Sequence, residues 1–259
     1  MQEPINTEKF NPAILEVHAE NQQFVNSRLL PNIFYWYQQR TDMVKEIITK
    51  YIKIGSSILD IGCAQGTIAI TLSDYGYKVT ANDIRENYIE YAKLRDNNQL
   101  VEFISGNFLD LAFQEKFNAV ILTEVVEHLV NHQIFIDRIY ENLGKDGILI
   151  ITTPNYDFIN QRLPSYLEIN FKDGSHQEFT ADGDDHFYIF KKSELIELTK
   201  KSKFIVLEHS YFLTILEFGT FKLRYLWKIL PKSVILFFNK FLTGNKYFSA
   251  QQCLVLRRE

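Results

Sequence analysis

One segment decides most of what this chain can become: Ile58-Leu59-Asp60-Ile61-Gly62-Cys63-Ala64-Gln65-Gly66. An apolar run of strand character stops at Gly62, the chain turns across small residues, and a helical pattern opens at Gly66. Small residues let the backbone turn tightly and let a ligand approach the main chain at the carboxyl edge of a parallel sheet. The flanking rhythm agrees. Residues 57–61, 78–82, 101–105, 119–123 and 148–153 read as short buried strands. Residues 66–75, 86–96 and 134–143 read as helices between them, the last closed by Gly144. Such alternation predicts βαβ units and a parallel sheet covered on both faces. Further on, 193–202 reads as a helix with Ser193 as its N-cap, 204–207 as a strand and 249–257 as the last strand.

Asp83 follows the second strand, placed to accept hydrogen bonds from a ribose diol. Two ligand classes compete for such a turn. A dinucleotide site wants G-x-G-x-x-G, so that backbone amides reach a pyrophosphate. Here Ala64 holds the central glycine position, and Asp60 puts a carboxylate where a pyrophosphate would be repelled. A cofactor with a cationic, amino-bearing end is favoured instead.

At this point the chain resembles the class I S-adenosylmethionine-dependent methyltransferases. The resemblance lies in LDIGCAQG (59–66), Asp83 after VTAN, GNFLDL (106–111), AVILTEVVEHL (119–129) and ILIITTP (148–154), and spans roughly residues 40–207. It implies an α/β, Rossmann-like seven-stranded sheet with an antiparallel last strand, helices on both faces, and here a helical insertion between the last two strands. It also implies a cofactor set. Asp60 and Gly62, with Cys63 and Gly66 of the same turn, border the methionine end. Asp83, followed by Ile84, holds the ribose hydroxyls. Asn107 and Phe108 flank the adenine, although many relatives have Asp where Asn107 stands. Thr123 and Glu124 sit under the cofactor, and Arg40 meets its carboxylate.

Glu124, Glu127 and His128 form E-x-x-E-H at the end of the fourth strand, running into a helix. Spacings of three and four predict one shared helical face. Three readings follow: a divalent-cation site, with the carboxylates favouring Mg²⁺ or Mn²⁺; a general base at His128; or solvated glutamates with His128 bonded to backbone. The run Asp185-His186-Phe187-Tyr188, after Thr153-Pro154-Asn155, resembles the later histidine that completes a metal site in small-RNA 2′-O-methyltransferases. Ubiquinone-pathway O-methyltransferases also carry E-x-x-E-H. The candidate catalytic residues are therefore His128, Glu124 and His186, and the candidate metal ligands are Glu124, Glu127, His128 and His186. His176 reads as a solvated loop residue.

A sulfonium-bound methyl is already activated, so the protein chiefly aligns a nucleophile and excludes water. A hydroxyl acceptor gains most from proton removal. The expected function is accordingly O-methylation of a small biosynthetic acceptor, lipophilic or glycosylated. The alternatives are a metal-dependent RNA 2′-O-methyltransferase and a non-catalytic partner subunit.

Composition enters at the C-terminal end. The formal net charge is −4, which gives no global reason to bind nucleic acid. It is unevenly spread: residues 211–248 hold six Lys and Arg against the single acid Glu217, and 11 of the chain's 37 Phe, Tyr and Trp. Phe221, Tyr225 and Ile229 share one helical stripe there, and Val234, Phe238 and Leu242 another. The chain divides as a helical segment at 1–55, a cofactor-binding core at 56–210 with 249–259, and a basic, aromatic helical insertion at 211–248. The polar loop at 155–185 is expected to act as a lid or acceptor loop with the insertion. The insertion is expected to cover the acceptor, or to contact a membrane surface or a second subunit. Two cysteines make no disulfide framework. The first residues lack a secretory pattern, and no stretch reaches the ~20 apolar residues of a membrane span. The expected setting is cytoplasmic, with membrane association through the insertion.

Overall fold

The computed structural model describes residues 11–26, 31–129, 131–168, 186, 188–218, 223 and 225–259. Its seven strands are β1 (Ser57–Ile61), β2 (Lys78–Asp83), β3 (Val101–Ser105), β4 (Phe117–Thr123), β5 (Leu143–Pro154), β6 (Phe204–Thr214) and β7 (Ser249–Arg258). They form a sheet in the order β3-β2-β1-β4-β5-β7-β6. β1, β2 and β3 pair in parallel, whereas β7 pairs antiparallel with both β5 and β6. The expected class holds: a mixed, seven-stranded α/β sheet with its last strand antiparallel. The chain divides into two compact units, 1–119 and 120–259.

In the first unit, α1 (Pro12–Val25) and α2 (Pro31–Tyr51) account for the helical start. Asn11 caps α1, its side-chain oxygen accepting from the Ile14 amide at 2.9 Å. Such a cap satisfies an amide that the helix itself leaves unpaired. α3 (Thr67–Asp74) follows the glycine turn and α4 (Glu86–Arg95) follows β2. Ile58, Leu59 and Ile61 of β1 are buried, as a central strand covered on both faces requires. Tyr91 of α4 is fully buried, and its hydroxyl meets His18 Nδ1 and Asn21 Nδ2 of α1, each at 3.0 Å.

The second unit departs from expectation at several boundaries. α5 (His132–Asn142) ends one residue early, and Leu143 and Gly144 already belong to β5. α6 (Lys192–Lys201) starts one residue before Ser193, so Ser193 is not its cap. Glu194 closes that end instead, its carboxylate accepting from the Lys191 amide at 2.8 Å. β6 runs on to Thr214 past a bulge between Val206 and Glu208. Tyr211 and Phe212 are therefore strand residues, and the helical segment starts at Ile215. It comprises α7 (Ile215–Phe218), α8 (Leu226–Ile229) and α9 (Lys232–Leu242). Within the two ring stripes Ile229 is 75% exposed and Phe238 55%, while α9 buries Ile235 and Asn239. Phe221 lies outside the described residues.

Just after β5, Asn155 ties off this segment. Its side-chain amide donates to the carbonyls of Lys246 and Ser249, and its own N–H donates to Ala250. The Ile215 amide donates to Phe248 and the Ile159 amide to Tyr247. Most of the expected lid at 155–185, with His176, lies outside the described residues. Among those described, no helix is long and apolar enough to cross a membrane.

Candidate functional site

In the first unit the turn after β1 is built from left-handed backbone. Gly62, Ala64 and Gly66 have φ of +71°, +45° and +73°. At Gly66 the demand is double, because a Cβ there would lie 3.0 Å from both Ala92 Cβ and Phe103 Cε1. Ala64 takes the strained conformation with a side chain present. The amides of Gly62 and Cys63 both donate to the Asn82 carbonyl, at 2.8 and 3.0 Å. The Asn82 side chain in turn donates to Ile104 and Gly106, lacing the turn to the end of β3.

Asp83 accepts from the Ala64 amide through Oδ2 and from the Arg85 amide through Oδ1, both at 2.9 Å. A carboxylate offers about four lone-pair sites, so acceptor capacity for a diol remains. Ile84, next to it, is an exposed apolar side chain at this edge. Asn107 caps a short turn by accepting from the Leu109 amide at 3.1 Å, and Phe108 is buried behind it. Cys63 is buried too; burial first, then the charges of Asp60 and Asp83, keep its thiol protonated.

Asp60 is 1% exposed. Neither of its oxygens has a hydrogen-bond partner at ordinary geometry, and the Ala69 backbone gives only weak relief. Burial, and then the Asp83 charge, push its carboxyl up to about 7, with the Arg40 guanidinium acting in the opposite direction. Arg40 is itself buried, against the Tyr37 ring at 4.7 Å. A buried carboxylate lacking donors fits a ligand that arrives with a positive, hydrogen-bonding end. The cofactor that the sequence resemblance implies has such an end.

One residue of this site escaped the sequence reading. Arg95 is buried at the end of α4, and its Nη1 donates to the Gln65 carbonyl at 2.5 Å and the Thr67 hydroxyl at 2.8 Å. It holds the glycine turn from behind. Nothing local in sequence ties it to the turn, whose residues lie about thirty positions earlier.

In the second unit, β4 ends at Thr123 and Glu124 turns left-handed, with φ of +54°. Residues 126–128 then make a single 3₁₀ turn. The expected common helical face does not exist, because the helical geometry that would align positions 124, 127 and 128 begins only after Glu124. The Glu124 carboxylate accepts from the Thr152 hydroxyl at 2.9 Å. Glu127 is fully buried, with Oε2 accepting from the Thr153 hydroxyl at 3.0 Å and Oε1 3.9 Å from His186 Nε2. The rings of His128 and His186 meet edge to face, 4.7 Å between centroids. Ligand-capable atoms of Glu127, His128 and His186 all lie within 4.8 Å of one another, and Glu124 stands outside this group. The distant His186 and the E-x-x-E-H run are thus brought together, with one carboxylate fewer than expected.

Two further side chains brace the cluster. The Tyr188 hydroxyl donates to the Leu129 carbonyl and meets His132 Nε2, both at 2.7 Å, and His132 also contacts the Val126 carbonyl at 3.0 Å. Burial raises the Tyr188 hydroxyl above its usual range, so it stays a donor. Its position two residues after His186 was the available signal.

Known proteins resemble this chain at three levels. The model of the methyltransferase domain matches residues 35–209. The ubiquinone biosynthesis O-methyltransferase of Rickettsia canadensis is 33% identical over 116 residues, 44% of this chain and 49% of that protein. That of Rickettsia bellii is 33% identical over 128 residues, 48% of this chain and 51% of that protein. The aligned stretch spans about half the length of these relatives. Among solved structures, the magnesium protoporphyrin IX methyltransferase of Synechocystis with bound S-adenosylhomocysteine aligns with a TM-score of 0.60 at 16% identity, covering 96% of each chain. The N-methyltransferase NodS of Bradyrhizobium japonicum aligns with a TM-score of 0.58 at 14% identity, covering 96% of this chain and 99% of that one. These last two are likenesses of fold. With the family model covering the glycine turn, Asp83 and the Glu127 cluster together, the chain belongs to the methyltransferase-domain family, of the class I, S-adenosylmethionine-dependent type.

Proposed function

We propose that this chain transfers a methyl group from S-adenosylmethionine to a hydroxyl of a small biosynthetic acceptor, lipophilic or glycosylated. The observation that carries the oxygen acceptor is the close set of Glu127, His128 and His186. The name of the Rickettsia relatives, ubiquinone biosynthesis O-methyltransferase, supports the same choice.

The cofactor brings the methyl group already activated on a sulfonium. The chain's residues bind and orient it: Asp60 and Arg40 toward its amino-acid end, Gly62, Cys63 and Gly66 as the close-approach turn, Asp83 with Ile84 on the ribose, and Asn107 and Phe108 around the base, with Thr123 at the end of β4. His128 takes the acceptor proton as general base, and Glu127 and His186 hold its ring and favour the imidazolium that results. Glu124 serves as a support on Thr152 rather than as a base.

A divalent cation is a second reading, favoured by the 4.8 Å grouping. Glu127, His128 and His186 would hold it, and it would lower the pKa of a bound hydroxyl. One carboxylate with two imidazoles suits Mn²⁺ better than Mg²⁺. The names of the Rickettsia relatives favour neither the RNA nor the non-catalytic alternative.

The test is transfer from methyl-labelled S-adenosylmethionine to a panel of phenolic and glycosylated acceptors, with products read by mass, before and after treatment with a chelator and after adding Mn²⁺. An O-methyl product insensitive to the chelator supports the base, and one restored by Mn²⁺ supports the cation. A nitrogen- or carbon-methylated product overturns the oxygen acceptor.

A further inference from the structure

Helix α9 is mounted with its rings outward. Its inward side is Ile235 and Asn239. The Asn239 side-chain oxygen accepts from the buried Thr214 hydroxyl, and the Thr214 amide donates to the buried Glu217 carboxylate at 2.9 Å. This polar group at the end of β6 sets the rotation of the helix. Turning the rings inward would strip Thr214 of its partner and carry Asn239 into apolar surroundings.

The outward side carries Leu236, Phe237, Phe238 and Phe241, the last 72% exposed. Phe237 touches both other rings, with centroids 5.5 Å from Phe241 and 5.6 Å from Phe238. Ile229 and Leu230, at the end of the neighbouring α8, are exposed as well. Exposed Lys232 and Lys240 flank the rings. No acidic residue occurs anywhere between Glu217 and Glu259. A contiguous apolar face of this kind marks an interaction surface.

We propose that the α8–α9 face docks on an anionic lipid surface, with Phe237, Phe238 and Phe241 entering the headgroup–acyl boundary and Lys232 and Lys240 meeting lipid phosphates. Charge decides between occupants. In a two-fold dimer the same patch faces itself, so lysines would oppose lysines with no acid in the segment to pair them. An anionic bilayer complements the net positive charge of this segment. The 11 residues of α9 span only about 16 Å at the helical rise, far short of a crossing, so the helix lies in the surface plane.

The experiment is sedimentation of the full chain with vesicles of phosphatidylcholine alone and of phosphatidylcholine with phosphatidylglycerol, at low and high salt. It needs neither cofactor nor acceptor. The chain is expected to bind the anionic vesicles and to release at high salt. F237S/F241S should lower the partition coefficient about tenfold or more, and K232Q and K240Q about fivefold each. Thermal melting of each variant checks that the fold persists, as these side chains are exposed. Equal binding to neutral and anionic vesicles, no binding, or unchanged binding of F237S/F241S overturns the proposal. So does a lipid-free dimer, seen by sedimentation velocity, that F237S/F241S abolishes.

Discussion

Asp60 and Glu127 are both buried carboxylates, and the chain keeps them in opposite ways. Asp60 has no proper hydrogen-bond donor, a second carboxylate near it, and a carboxyl pushed up to about 7. Glu127 has a hydroxyl donor in Thr153 and an imidazole in His186 beside it. The first group is left unsatisfied by its own unit and is completed by what binds. The second is already engaged, and is suited to holding other side chains in position. A buried charge without partners is costly, so its persistence in a well-packed turn is a sign of ligand binding, whereas a supplied one is a sign of architecture.

The largest expected effect breaks the first half of this contrast. Asp60→Asn should weaken S-adenosylmethionine binding about 100-fold, the scale of a lost charge-assisted hydrogen bond, while raising the melting temperature of the ligand-free chain. Calorimetric titration and melting curves read both; unchanged affinity would show that Asp60 is merely a tolerated burial. The pH dependence follows from the same residue. Its carboxyl sits near 7 when folded against an ordinary 3.8, so between about pH 4 and 7 the folded chain holds a proton that the unfolded chain has released. The contribution of Asp60 to stability is therefore favourable at low pH and lost as pH rises through that window. Relative to Asp60→Asn, the ligand-free wild type should be more stable at about pH 5 than at about pH 8. Cofactor affinity should strengthen as pH rises through 7, and Asp60→Asn should flatten that rise.

Glu127→Gln tests the other half. Loss of a group that positions catalytic imidazoles typically costs about 10–100-fold, and here the loss should fall on kcat with cofactor affinity unchanged. Arg95→Met should cost about 1–3 kcal/mol of stability by leaving the Gln65 carbonyl and Thr67 hydroxyl short of a donor, with a few-fold loss of cofactor affinity, seen in melting and titration together. The smallest effect belongs to Glu124→Gln, because an amide oxygen can still accept from Thr152. A change in kcat of less than about threefold is expected, within the few tenths of a kcal/mol typical of substitutions that keep their bonds. A loss as large as that of Glu127→Gln would return Glu124 to the chemical centre.

The glycine turn was legible because strand, turn, helix and the acid after the next strand are all local, and local pattern sets them. β3 fell on its expected residues for that reason. The misreadings lie where distant partners decide. Glu124 looked aligned with Glu127 and His128, but a left-handed residue ended the strand before any helix began. Ser193 looked like a cap, but Glu194 satisfies the Lys191 amide in its place. β5 absorbed Leu143 and Gly144, and β6 absorbed Tyr211 and Phe212, through pairing with β7. On α9 the apolar spacing marks a stripe but says nothing of which side a neighbouring Thr and Glu will hold. Arg95 was invisible for the same reason, its partners lying about thirty positions earlier.

The clasp at Asn155 has a consequence for how such a chain can change. The stretch from Ile215 to Phe248 leaves and re-enters the sheet between ends tied by main-chain bonds, with Asn155 gripping the returning strand through Lys246, Ser249 and Ala250. What lies between the tied ends can be shortened, lengthened or exchanged without renegotiating the pairing of β6 with β7, provided that a partner for Thr214 in the place of Asn239 is kept. The segment behaves as a cassette: grafting it onto a relative, or trimming it at the clasp, would move the docking property between enzymes while leaving the methyl-transfer scaffold in place.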